Sequence, residues 1–250
     1  MDVAEALALL AAGLVAGSIN AVVGSGTLVT FPTLLAFGYA PVLANVTNNI
    51  GVLPGSFTGA WAYRRELAGQ RSRVIRLAGA SAVGGAIGAV ALLELPESAF
   101  DSIVPVLILL ACVLVVLQPR LSGLLAKREG APSHGGPVAV AGVALTGVYG
   151  GYFGAAQGVL LMAFLGIFVD EELQRLNAVK NVLAGLVNAV AAVIFVAVTD
   201  VAWGAAAMIA IGSTVGGQVG GMYGRRLPPA ALRAFIVVVG GVAAVRLLLT

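Results

Sequence analysis

The stretch Gly24-Ser25-Gly26-Thr27 is a helix-breaking turn inside an apolar region, where a membrane helix should be near mid-bilayer. Glycines allow unusual backbone angles and close approach, and Ser25 or Thr27 can cap the helix that begins near Leu28. The expected product is a helix N-terminus within the membrane. Its free N–H groups and positive dipole end are costly against lipid and favourable against an anion. Irregular backbone at that depth is tolerated only where protein buries it or water reaches it. Glycines also serve close helix packing. Most of the 34 in this chain, such as Gly84, Gly85 and Gly88 or Gly216, Gly217 and Gly220, are read that way.

The flanking runs set the architecture. A span needs about 20 apolar residues, which places long helices near 3–23, 41–63, 74–94, 100–118, 137–153, 173–199, 202–222 and 230–249. Runs 27–38 and 158–169 are too short to cross at about 1.5 Å per residue. The second of them follows Gly154-Ala155-Ala156-Gln157-Gly158, a degenerate copy of the first turn. Both times the order is long helix, broken turn, half helix, then a long helix carrying Asn-x-x-x-Asn. Aligning Gly17 with Gly147, Thr27 with Gly158, Asn45 with Asn177 and Asn49 with Asn181 needs shifts of 130, 131 and 132, hence two single-residue insertions.

Composition and charge agree. Of 250 residues, 60% are hydrophobic and 10% charged, and the mean hydropathy is +1.03, which is membrane protein rather than soluble domain. The apolar runs are continuous, without the in/out alternation of a barrel. Asp2 and Glu5 stand where a signal peptide would be basic, so the first run is expected to stay as a helix. Basic residues cluster at Arg64, Arg65, Arg71, Arg73 and Arg76, at Arg120, Lys127 and Arg128, and at Arg225, Arg226 and Arg233. The positive-inside rule puts these loops inside. Glu94, Glu97, Asp101 and Asp200 then lie outside, with both termini. The expected fold is all-α and polytopic: two inverted repeats of about five segments each, 1–118 and 137–250, joined by a cytoplasmic linker at 119–136. The half helices either cross with their neighbours or re-enter.

Asn45 and Asn49, like Asn177 and Asn181, are four apart and share a helix face. An amide holds an oxyanion without a permanent buried charge, or it ties helices together. Lys180 is the one formal charge well inside a predicted helix. It pairs with an anion, titrates and so couples transport to protons, or snorkels to the inner surface about 7 to 8 Å away near Arg175. Asn20 and Gln157 stand near the breaks, while Asn188 and Gln218 serve equally as interhelical bonds. Trp61, Trp203, Tyr63 and Tyr223 fall at segment ends, where interfacial aromatics are usual. The single cysteine, Cys112, reads as a packed residue, and the single histidine, His134, as a loop residue. A serine–histidine protease is therefore not expected, and no metal, cofactor or nucleic-acid motif is present.

These residues resemble the TauE/SafE sulfite exporter family, also called the toluene sulfonate uptake permease family. The resemblance rests on Gly13-Leu-Val-Ala-Gly17, on Gly24-Ser-Gly-Thr-Leu-Val-Thr-Phe-Pro32, on Ala44-Asn-Val-Thr-Asn-Asn49 and on Leu176-Asn-Ala-Val-Lys-Asn181. It implies an inner-membrane permease that exports small sulfur-containing or organic anions such as sulfite, sulfoacetate or other sulfonates. Carried over, the substrate-binding groups are Gly24, Ser25, Gly26, Thr27, Asn45 and Asn49 in the first half, with Gln157, Gly158, Asn177, Lys180 and Asn181 in the second. The second turn is less glycine-rich than the family pattern, and Thr27 stands where a further glycine is common. The expected mechanism is alternating access around a midplane anion site, with membrane lipid as surroundings and a proton as candidate coupling ion. The rivals are a small-anion channel and a non-transporting scaffold.

Overall fold

A computed structural model describes residues 1–125, 136–224 and 229–249. It is all helical among those residues: α1 Val3–Val22, α2 Thr27–Ala36, α3 Pro41–Ala62, α4 Arg71–Glu94, α5 Glu97–Leu125, α6 Pro137–Tyr152, α7 Gln157–Phe168, α8 Leu173–Val198, α9 Trp203–Tyr223 and α10 Pro229–Leu249. The two short helices and eight long ones stand where the apolar runs predict them. Helix α5 continues past residue 118, through Pro119, because hydropathy marks the part of a helix that suits lipid and not where its hydrogen bonds end. Lys127, Arg128 and His134 of the expected linker, and Arg225 and Arg226, lie outside the described residues.

Among the described residues, five helices are long and apolar enough to cross a membrane by length and composition: Val3–Val22, Arg71–Glu94, Ser98–Arg120, Leu173–Val198 and Ala230–Leu247. Large apolar side chains are turned outward, among them Val83 and Ile87 on α4, Val106 and Val113 on α5, and Val238 and Val242 on α10. Polar ones are turned inward: Asn45, Thr47, Asn48, Asn49, Gln157, Asn177, Lys180, Asn181 and Ser213 are all buried. Lipid as outer solvent and a polar interior account for this inversion of the soluble pattern. Trp61, Trp203 and Tyr223 are exposed as interfacial aromatics would be, but Tyr63 is buried.

The main helix pairings exchange when each helix of α1–α5 is swapped for the helix five places later. Helix α1 packs on α9 as α6 packs on α4, and α3 on α9 as α8 on α4. Likewise α2 meets α10 as α7 meets α5, while α3 and α8 meet each other. Small residues make these approaches possible. A Cβ at Gly84 or Gly88 would strike the α6 backbone at Ala144 or Val148, and one at Gly216 or Gly220 the α1 backbone at Leu14 or Ser18.

The two ends of the bundle are closed differently. At the basic end, Arg73 Nη1 donates to Glu171 Oε2 at 3.0 Å and also to Gln70 Oε1, and Arg175 Nε donates to Glu171 Oε1 at 2.9 Å. Arg175 Nη2 reaches Ala68 O at 3.0 Å and Gln70 Nε2 reaches Arg175 O at 3.0 Å. The loop after α3 is thereby latched to the loop before α8. Burial alone would raise the Glu171 carboxyl, but hydrogen bonds from Arg73, Arg175 and the Glu172 amide hold it below its ordinary value. At the other end, Tyr39 Oη donates to Glu5 Oε1 at 2.6 Å. That bond, with burial, pushes the Tyr39 phenol up to about 12.

Candidate functional site

Both breaks are built the same way. The amides of Val23 and Gly24 converge on Ile19 O at 2.7 and 3.0 Å, and those of Phe153 and Gly154 on Tyr149 O at 2.9 and 3.1 Å. Gly24 and Gly154 then reverse the chain with φ of +84° and +76°, a region open to glycine at no steric cost. In the second break Ala156 also takes a left-handed φ of 58°, a strained position for a residue with a Cβ. Tyr149 Oη supports it by donating to Ala155 O at 2.6 Å.

The two turns cross in contact. Gly158 N–H donates to Gly24 O at 3.0 Å. A Cβ on either glycine would run into the other's backbone, so neither position admits a side chain. The first turn is capped by Asn20, whose Oδ1 accepts from Gly26 N–H at 2.6 Å. Neither Ser25 nor Thr27 acts as cap: the Ser25 hydroxyl is buried without a partner, and Thr27 Oγ1 accepts from Asn48 Nδ2 at 3.3 Å. The half-helix N-termini are therefore less open than expected, because a buried N–H left unpaired is costly and those of Gly26 and Gly158 are paired internally.

Side-chain donors surround a small cavity beside the crossing. It is lined by Asn20, Ala21, Gly24 and Thr27, by Gly55, Ser56 and Gly59 of α3, by Gly154, Gln157 and Gly158, and by Lys180, Asn181, Ala184 and Asn188 of α8. Its room of about 30 Å³ suits roughly two waters or one compact ion. Lys180 is fully buried, so it does not snorkel. Its Nζ donates to Asn20 O at 3.1 Å and Ala21 O at 3.5 Å, and no described carboxylate pairs with it. Gln157 is 3% exposed and its Nε2 has no partner. A buried lysine without an acid, beside an unused amide donor, is an arrangement an anion completes.

Of the residues read from sequence, Gly24, Thr27, Gln157, Gly158, Lys180 and Asn181 line this cavity, and Ser25, Gly26, Asn45, Asn49 and Asn177 do not. The first Asn of each pair ties its helix to the opposite break. Asn45 Nδ2 donates to Tyr152 O at 2.9 Å, and Asn177 Nδ2 to Ala21 O at 3.2 Å. Asn181 Nδ2 also reaches Ala21 O at 3.2 Å, while Asn49 Nδ2 turns to Asn188 Oδ1 at 3.5 Å. Gln218 is away from the cavity, near Met222. Sequence reading passed over Ala21, Gly55, Ser56, Gly59 and Ala184. A signal existed for Ser56: it stands 132 residues before Asn188, the shift of the asparagine pairs, and Asn188 Nδ2 donates to its Oγ at 3.3 Å. No group of three potential metal ligands occurs among the described residues.

The family model described as sulfite exporter TauE/SafE matches residues 9–247. The chain belongs to that family. It is similar to the "Probable membrane transporter protein YfcA" of Escherichia coli strain K12, with 25% identity over 236 residues, 94% of this chain and 86% of that one. It is also similar to the "Probable membrane transporter protein ORF9" of a Sinorhizobium species, with 25% identity over 240 residues, 96% and 91% of the two chains. A "Probable membrane transporter protein" of Haemophilus influenzae shares 23% over 212 residues, 85% of this chain and 82% of that one. No solved structure matches the chain. As a TauE/SafE protein it is a membrane transporter and not an enzyme, and the polar cavity at the crossed turns is its candidate substrate site.

Proposed function

We propose that the protein exports small sulfur-containing or organic anions, of the class of sulfite, sulfoacetate and other sulfonates, across the cell membrane by alternating access. The observation that carries this reading is Lys180: a fully buried lysine at the crossing of two broken helices, with backbone carbonyls as its partners and no acid among the described residues. An anion in the adjoining cavity neutralises it and takes up the spare donor of Gln157. Lys180 is also the one ionisable side chain among the lining residues, so a coupled proton would ride there.

Alternating access draws support from an asymmetry. The helix pairings exchange between halves, which fits inverted repeats at about 1–118 and 137–250 with both termini outside. The turns and the Ser56–Asn188 pair exchange in the cavity lining, but the rest of it does not. Gly55, Gly59, Lys180 and Asn181 line it, whereas Val187, Ala191, Asn48 and Asn49, their counterparts at a shift of 132, do not. A two-repeat carrier that opens to one side at a time has this asymmetry, and rocking would transfer the cavity to the other set. The Arg73–Glu171–Arg175 latch then serves as the inner gate.

The test is counterflow in proteoliposomes. External unlabelled sulfite or sulfoacetate should accelerate efflux of labelled sulfite, with saturation. Large unsaturable currents would instead make the protein a channel, and no flux of any anion would remove the transport of anions altogether.

A further inference from the structure

We propose that Gly59 on α3 is a specificity-determining residue of this cavity, its missing side chain setting the largest anion head that can enter; this rests on the anion-transport reading above. Five glycines line the cavity: Gly24, Gly55, Gly59, Gly154 and Gly158. Four of them are required by the backbone. Gly24 and Gly154 hold positive φ, Gly24 and Gly158 touch at the crossing, and a Cβ on Gly55 would strike the Ser213 carbonyl of α9.

Gly59 has no such reason. Its place within α3 is helical, and a Cβ there would meet Ala21 Cβ at 3.4 Å, Ala21 Cα at 3.7 Å and Gly217 O at 3.9 Å, ordinary contacts. Alanine is the better helix former at such a position. Packing and propensity would both accept it. What it would consume is space beside Ala21, in a cavity of about 30 Å³ that Ala21 also lines. A methyl group takes up room of about the size of one water. The lining also lacks any purely apolar side chain larger than the methyls of Ala21 and Ala184, so nothing receives a long organic tail. The unpartnered Gln157 Nε2, on a residue 3% exposed, marks the same space as one awaiting an acceptor. The class admitted is therefore sulfite and sulfur oxyanions with short tails, and Gly59 sets the cutoff.

The experiment measures competition by unlabelled sulfite, thiosulfate and sulfoacetate against labelled sulfite flux in proteoliposomes. Variants are Gly59→Ala, Ala184→Gly, which widens the same cavity from α8, and Gly79→Ala, a control on an exposed face of α4 with nothing within 4 Å. Gly59→Ala should weaken the larger competitors at least tenfold relative to sulfite, with Ala184→Gly shifting the ratio the opposite way and Gly79→Ala leaving it unchanged. A ratio equal to wild type in both cavity variants overturns the role of Gly59. If wild-type protein moves none of these anions, the anion reading itself falls, and Gly59 with it. Should Gly59→Ala fail to fold, Ala184→Gly still decides the matter by its sign.

Discussion

Replacing Lys180 by methionine keeps most of the length of the side chain and removes its amine, and the structure sets what should follow. At an ion-pair separation of about 4 Å and an effective dielectric constant of about 20, the attraction lost is about 4 kcal/mol. Allowing for the desolvation that the charge no longer costs, affinity for a small oxyanion should fall by about 10²- to 10³-fold. Stability without anion should barely move. The thioether cannot donate to Asn20 O, a loss of about 1 kcal/mol. Ala21 O keeps Asn177 and Asn181 as donors, and the buried unpaired charge is gone. These opposing terms leave a change in Tm of a few degrees, at about 2–4 °C per kcal/mol for a chain of this size. The assay is thermal unfolding of purified protein titrated with sulfite, alongside sulfite flux in liposomes. Lys180→Met should give a monodisperse protein of near wild-type Tm that sulfite no longer stabilises and that moves no anion. An undiminished sulfite-dependent rise in Tm in that variant would refute the assignment of Lys180 to the site.

Three further outcomes follow from the geometry. Gly158→Ala forces a Cβ into the backbone of Gly24 and should abolish folded, monodisperse protein, as size-exclusion chromatography would show; Gly79→Ala should not. Asn20→Ala removes the cap on Gly26 N–H and should cost about 1 kcal/mol, read as a lower Tm. Glu171→Gln unlatches the basic end, and its signature is pH dependence. Because Glu171 is held below its ordinary value, its contribution is present above the unfolded carboxylate pKa of about 4.3 and is lost as pH falls through the lower folded value. Wild type should therefore lose stability over that acid range by more than Glu171→Gln, measured as Tm against pH.

The interior polar pattern shows how far local information reaches. The turns at Gly24 and Gly154, the half helices after them and the asparagine helices are all visible in the chain, because helix breaking and apolar length are properties of neighbouring residues. Lys180 and Asn181 stood out for the same reason, as polar groups in apolar runs. The role of Asn45 did not, since an amide that lines a site and one that holds Tyr152 O look alike until the partner 107 residues away is placed. Gly59 and Ala184 were invisible for a different reason: a small residue lining a cavity carries no chemical mark in a chain with 34 glycines.

The sequence by itself determined that this is a helical membrane protein with two broken helices, because burial of apolar length in lipid and the intolerance of helices for glycine turns act residue by residue. Only the tertiary structure decided what the breaks present to each other. It brought the two turns into contact through Gly158 N–H and Gly24 O and paired Gly26 N–H with Asn20, consuming two amides that a lone helix terminus would have offered. The donor role passed to Lys180 and Gln157, since which buried groups are satisfied depends on where helices cross.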